Sequence, residues 1–358
     1  MSSANLQCKP MLVMPPEWAP QAATWLSFPI NHDTWAQNLV AAQAEFALLV
    51  HAIADDQKAY VMCGGEQNRE TARQIILEQR ENQLSPQQVE NIELVDIPTN
   101  DAWARDYAPT FVKDTSTGVL CSIDWHYNAW GGKYPPYDLD QQVAGKVASK
   151  LGLENITAGI CAEGGALEIN GNGVLLVTRS SILNENRNPD LDQTQIEAVF
   201  QERLGAKKII WLPGDQAGPT VLGDDTDGHI DQLARFIDDA TIVYAWTEDV
   251  DDPQRAPLEN NLAELKRQME SIDADCRFVP LPLPPVITHC NLRLPASYCN
   301  FLVTNRSVLV PQFGATSDAK ALEILSPLFA NRRLVPLPSR ELAVGLGSFH
   351  CLSQQQPA

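Results

Sequence analysis

His229 and Asp231 stand one residue apart in GDDTDGHIDQLARF at 223–236, the most densely polar segment of the chain. At the head of a strand-like run, both side chains would share one face. Three readings follow. An imidazole beside carboxylates can ligate a divalent ion, although no HExxH pattern or further histidine cluster accompanies it. A turn of Asp and Gly entering a strand is the purely structural alternative. Catalysis is the third and carries the most weight. Two other segments set acids beside aromatic or glycine residues: NDAWARDYAPTFV at 100–112 and AEGGALEING at 162–171. Taken singly, Asp106 after Arg105 reads as a surface ion pair and Glu163 before Gly164 and Gly165 as a turn residue. Cys351 follows a glycine-rich approach in GLGSFHCLSQQQPA at 345–358, within a short β-like run. Adjacent strand residues point to opposite faces, which makes His350 a poor proton partner for it.

The elements that would carry these groups recur along the chain. GALEINGNGVLLVT at 165–178 predicts a hairpin turning through Asn170–Gly173, a stretch suited to positive φ. HIDQLARFIDDATIVYAW at 229–246 and NFLVTNRSVLVPQF at 300–313 predict two more, turning near Asp238–Asp239 and Asn305–Arg306. Each precedes an amphipathic helix candidate, at 192–204, 253–271 and 316–329. Each helix then yields to a β-rich run ending in Leu-Pro: KKIIWLP, CRFVPLP and RRLVPLP. APTFVKDTSTGVLCSIDW at 108–125 predicts a further hairpin. ATWLSFP near the N-terminus lacks a partner of its own, and the C-terminal SFHCLSQ is its candidate. Pairing of the two ends would close the repeats into a ring and gather residues from distant units at a common centre.

The 358 residues, 44% hydrophobic, suffice for a sizeable core. No low-complexity linker divides them, so we expect one domain over 1–358. No apolar run reaches membrane-spanning length and the first residues lack a signal-peptide pattern, so a cytoplasmic protein is expected. The eight cysteines, Cys8, Cys63, Cys121, Cys161, Cys276, Cys290, Cys299 and Cys351, show no CxxC pair and read mostly as reduced packing residues. A net charge of −19 argues against nucleic acid and anionic membranes as partners and is compatible with a small cation.

WARDYAPTFV, EGGALEINGNGVLL with LNENRNP, DDTDGHIDQLARF, ASYCNFLV with VLVPQFG, and GSFHCLSQQQP resemble, in order, segments of the agmatine deiminase and bacterial peptidylarginine deiminase family, as does the opening PPEWAPQAATWLSFP. The resemblance runs from about residue 15 to the end of the chain. It implies an α/β fold, a five-bladed pseudo-symmetric propeller of ββαβ units (the pentein fold). It further implies Cys351 as nucleophile, His229 as general acid and base, Asp106 and Asp231 as carboxylates gripping a guanidinium, and Glu163 as the residue that orients or charge-balances His229. Planar pairs of guanidinium N–H groups suit carboxylates that accept in bidentate fashion. Asn300, within ASYCNFLV, and Trp103 are further substrate-binding candidates; Trp103 and Trp25 would offer aromatic faces to a cation, with core packing as the alternative for both.

The implied reaction is hydrolysis of agmatine to N-carbamoylputrescine and ammonia through a thiouronium adduct on Cys351, on a route toward putrescine, with no metal and no other cofactor. Peptidylarginine and free arginine are alternative substrates. Transfer of the amidino group to an amine, a non-catalytic guanidine-binding protein and a papain-like protease are alternative functions. A homodimer is the default expectation for such an enzyme. Leu346, Ser348 and Phe349 stand where the family usually reads GGGNIHC, and Glu185 where it commonly has proline; these departures bear on recognition of the substrate's tail.

Overall fold

The computed structural model describes residues 11–78 and 84–358. The expectations for the first ten residues, Cys8 among them, lie outside the described residues.

One pattern builds most of the chain. Glu168–Ile169 pairs antiparallel with Val174–Thr178, the helix Gln193–Leu204 crosses over, and Lys208–Leu212 returns parallel to Val174–Thr178. Ala234–Asp238, Thr241–Trp246, the helix Arg255–Ser271 and Arg277–Pro282 repeat it, as do Leu302–Val303, Ser307–Gln312, the helix Asp318–Leu325 and Arg333–Pro338. Thr110–Asp114, Leu120–His126, the helix Val143–Leu151 and Asn155–Cys161 form another copy, with Leu12–Val13 added at its edge. A parallel return needs a long crossover, and an amphipathic helix supplies it while covering the sheet. Every residue of Val174–Thr178 is buried, as a strand covered on both faces requires.

The two ends of the chain complete a further copy. Gln21–Ser27 runs parallel to Lys58–Met62 after the helix Leu39–Ala54, and Ser353–Pro357 pairs antiparallel with Gln21–Ser27, placing Ser353 opposite Leu26. Residues close to both ends thereby lie side by side. The fold is mixed α/β, and the described strands form separate sheets of three or four strands plus the short hairpin Thr288–His289/Leu292–Arg293.

Local sequence explains the boundaries. Asp192 and Gln195 form a reciprocal capping box ahead of Gln193–Leu204, and Gly205 ends that helix at φ +67°. The helix expected over 316–329 stops at Leu325, because Pro327 has no N–H to extend it. No helix among the described residues is long and apolar enough to cross a membrane.

Three expectations are corrected. His229 and Asp231 do not head a strand: His229 caps the one-turn helix Ile230–Leu233, and the strand starts only at Ala234. Cys351 lies in a turn ahead of Ser353–Pro357, so strand alternation says nothing about His350. Arg105 and Asp106 form no surface pair; they are 2% and 3% exposed. Trp25 is wholly buried, stacked on Tyr60 and bonded through Nε1 to Gln356, which makes it core.

Candidate active site

A cavity of about 640 Å³ has Asp106 and Cys351 among its lining residues, with Trp103 and Trp130 as aromatic walls. Four stretches of chain meet beside it, and a glycine explains how they come so close. A β-carbon on Gly165 would stand 2.7 Å from Asp106 Oδ1, 2.7 Å from His229 Nδ1 and 3.2 Å from Asp231 Oδ2. Only glycine leaves that space to three polar side chains. Its own N–H donates to Asp106 Oδ1 at 2.9 Å, and the Trp130 indole donates to Oδ2 at 3.0 Å. Trp130 reaches that position from a left-handed stretch in which Ala129, Trp130, Gly131 and Gly132 all have positive φ.

His229 sits between two carboxylates, with Nδ1 3.7 Å from Asp106 Oδ1 and Nε2 3.6 Å from Glu163 Oε2. These separations exceed hydrogen-bonding distance, and Nε2 has no hydrogen-bond partner. Burial disfavours the imidazolium, but Asp106 and Glu163 outweigh it and raise the His229 pKa to about 9. Glu163 is held in turn by Arg187, whose Nε donates to Oε1 at 2.5 Å and whose Nη1 reaches Asp227 at 2.9 Å. Burial pushes the Glu163 carboxyl upward, but Arg187 and His229 bring it below the usual range.

Cys351 Sγ lies 3.1 Å from Asn300 Nδ2 and 3.6 Å from Asp231 Oδ2. Burial, then Asp231 and Asp106, push its thiol well above the ordinary value. Asp106 is itself raised to about 6 by burial and by its acidic neighbours against the opposing His229. Asp231 stays below the usual range: burial raises it, but a hydrogen bond from His350 Nδ1 at 2.8 Å prevails. Its Oδ1 has no hydrogen-bond partner.

The structure therefore brings Cys351, His229, Asp231, Asp106 and Glu163 together. Trp103 lines the cavity at 6% exposure, stacked on Trp35. Asn300, expected at the substrate, is fully buried beside Cys351, its Nδ2 directed to Cys351 Sγ and Asp231 Oδ2 and its Oδ1 accepting the backbone N–H groups of His350 and Cys351. Gly345 and Gly347 pack where a β-carbon would stand 2.6 Å from Trp35 and 2.3 Å from Trp103, which accounts for the glycine-rich approach to Cys351. Leu346 between them lines the cavity in a left-handed conformation, φ +75°. Ser348 bonds Ser339, and Phe349 is core. The role of Trp130 had no signal in spacing or periodicity. His350, set aside only as a proton partner of Cys351, contacts Asp231 directly.

Comparison with known proteins gives consistent results. The family model described as Porphyromonas-type peptidyl-arginine deiminase matches residues 13–357. An agmatine deiminase of Stutzerimonas stutzeri (strain A1501) is 36% identical over 368 residues, covering 96% of this chain and 95% of that protein. The solved structure of a C. jejuni agmatine deiminase with substrate bound superposes with a TM-score of 0.84 at 30% identity, covering 97% of both chains. That of an Enterococcus faecalis agmatine deiminase gives 0.86 at 28% identity, covering 97% of this chain and 96% of the other.

Proposed function

The chain belongs to the Porphyromonas-type peptidyl-arginine deiminase family, and from that membership we propose that it hydrolyses agmatine to N-carbamoylputrescine and ammonia, a step toward putrescine. The observation that carries this reading is the convergence of a buried thiol, an imidazole with a free nitrogen and two carboxylates beside an acid-lined cavity. The repeating sheets are read as five blades around that centre, within a single domain.

The guanidinium enters between Asp106 and Asp231, and Asp231 Oδ1 is available to accept from it. Its positive charge offsets the two carboxylates that keep Cys351 protonated, so the thiol releases its proton to solvent as substrate binds. Sγ attacks the central carbon. His229, already cationic at neutral pH, gives its proton to the departing amino group, and ammonia leaves a thiouronium on Cys351. The now neutral imidazole takes a proton from water and the hydroxide adds to the same carbon; the C–S bond then breaks, the proton of the added hydroxyl passes to the departing sulfur, and the ureido product leaves with Cys351 again a thiol. Glu163, tied to Arg187, holds the opposite side of the ring and favours its cation.

Charge at the cavity favours agmatine over free arginine. Asp33, Asp101 and Asp225 line it, whereas Lys133 is paired with Asp227. An amine tail meets attraction there, and an arginine carboxylate meets repulsion. Ureido formation should be measured with agmatine, free arginine and a blocked arginine peptide, using native protein, Cys351→Ala and a chelator-treated sample. Conversion of agmatine that is lost in Cys351→Ala and indifferent to the chelator is expected. Conversion of only the peptide or arginine replaces the substrate, and binding without turnover replaces catalysis by a binding function.

A further inference from the structure

Behind the Cys351 turn, Glu17, Glu168 and His350 place potential metal-ligating atoms within 4.8 Å of one another, all buried. The cluster already contains its cation. Arg235 donates to both carboxylates, to Glu17 through Nη2 and to Glu168 Oε2 through Nε at 2.9 Å, while its Nη1 bonds the carbonyls of Cys299 and Phe301. A metal ion there would compete with a fully engaged guanidinium. What the cluster does must be read from its remaining member, His350.

The His350 ring is 2% exposed and faces a carboxylate oxygen at each nitrogen: Asp231 Oδ2 lies 2.8 Å from Nδ1, and Glu17 Oε2 lies 3.2 Å from Nε2. A neutral imidazole has one N–H and one lone pair, and a lone pair aimed at a carboxylate is repulsive. Both contacts are favourable together only when both nitrogens donate. Backbone contacts fix the ring's place, since Asn300 Oδ1 accepts the His350 N–H and Arg105 Nε donates to the His350 carbonyl. The charged groups facing the ring are thus Asp231, Glu17 and, one step behind, Arg235 with Glu168; Arg105 lies against its backbone.

We propose that His350 is a positioning residue that donates from both ring nitrogens, anchored by Glu17 and Arg235 on one side, to hold Asp231 ionised by its Oδ2 and leave Oδ1 for the guanidinium. The device rests on the assignment of Asp231 as a substrate carboxylate. It joins segments near the two ends of the chain, Glu17 and the His350–Cys351 turn, to the substrate-gripping acid. Asp231 is wholly buried, with Oδ2 2.8 Å from His350 Nδ1 and Oδ1 without a hydrogen-bond partner.

His350→Asn tests it. The asparagine amide can still donate toward Asp231 but carries no charge and falls short of Glu17. Removing an adjacent cation raises a carboxyl by about one pH unit or more. Asp106, raised to about 6, sets the acid limb of kcat/KM in both proteins, so the change is read at the carboxyl itself: 13C NMR should show Asp231 titrating at least that much higher in His350→Asn than in native protein. An Asp231 titration unmoved by the substitution would overturn the proposal and leave His350 a packing residue. Histidine-selective 15N NMR of the native protein gives a readout independent of that variant's folding: protons on both His350 nitrogens at assay pH are expected, and a single-proton tautomer refutes the idea. If native protein fails to convert agmatine while the NMR result holds, the functional reading falls and the two-sided bridge stands.

Discussion

Two histidines lie in the same buried interior, and their surroundings differ in one decisive respect. His229 has carboxylates at 3.6 and 3.7 Å and no hydrogen bond at Nε2, whereas His350 has one at 2.8 and one at 3.2 Å and is bonded at both nitrogens. Opposite charge without hydrogen bonds favours the imidazolium while leaving its proton free to move; charge with hydrogen bonds on both sides locks the ring. The looser environment suits a group that must give a proton and take another. The tighter one suits a group that only holds its neighbour.

The largest break in that comparison should come from His229→Asn, with kcat falling about 10²- to 10⁴-fold and the melting temperature little changed, measured by steady-state kinetics and calorimetry. Comparable destabilisation would make His229 structural as well. Arg235→Met should do the reverse, leaving Glu17 and Glu168 buried without their cation at a cost of about 3–5 kcal/mol of stability, read from denaturant unfolding. Glu163→Gln sharpens the contrast: it removes one of the charges that raise His229 to about 9, so the basic limb of kcat/KM should move down by about one pH unit. An unmoved limb would detach Glu163 from His229. Leu346→Gly should have the smallest effect, a gain of up to about 1 kcal/mol as a strained left-handed residue is relieved, visible as a modest rise in melting temperature.

Much of this architecture was legible in local chemistry. Asn170–Gly173 and Asp238–Asp239 announce their turns, Asp192 and Gly205 bracket a helix, and the three Leu-Pro runs are the parallel returning strands. The site was legible where a residue type has few structural uses, as with His229 beside Asp231. It was not legible where meaning depends on a partner far along the chain. The bonds by which Asn300 holds the Cys351 turn have no local signal, and Glu17 shows nothing until Arg235 and His350 close around it. For His350 it was the premise that failed: alternation was applied to a residue in a turn, where side-chain direction follows no two-residue period, although its ring does face Asp231 and Glu17 and not the Cys351 thiol.

The central claim is that Cys351 carries the substrate's amidino carbon during turnover. Acid-quenched protein, taken while agmatine is being consumed, should be digested and its cysteine peptides weighed by mass spectrometry. The account predicts agmatine less ammonia attached to the Cys351 peptide, disappearing as substrate is exhausted and absent from Cys351→Ala. Ureido product formed with no adduct in native protein, or an adduct on another cysteine, would contradict it.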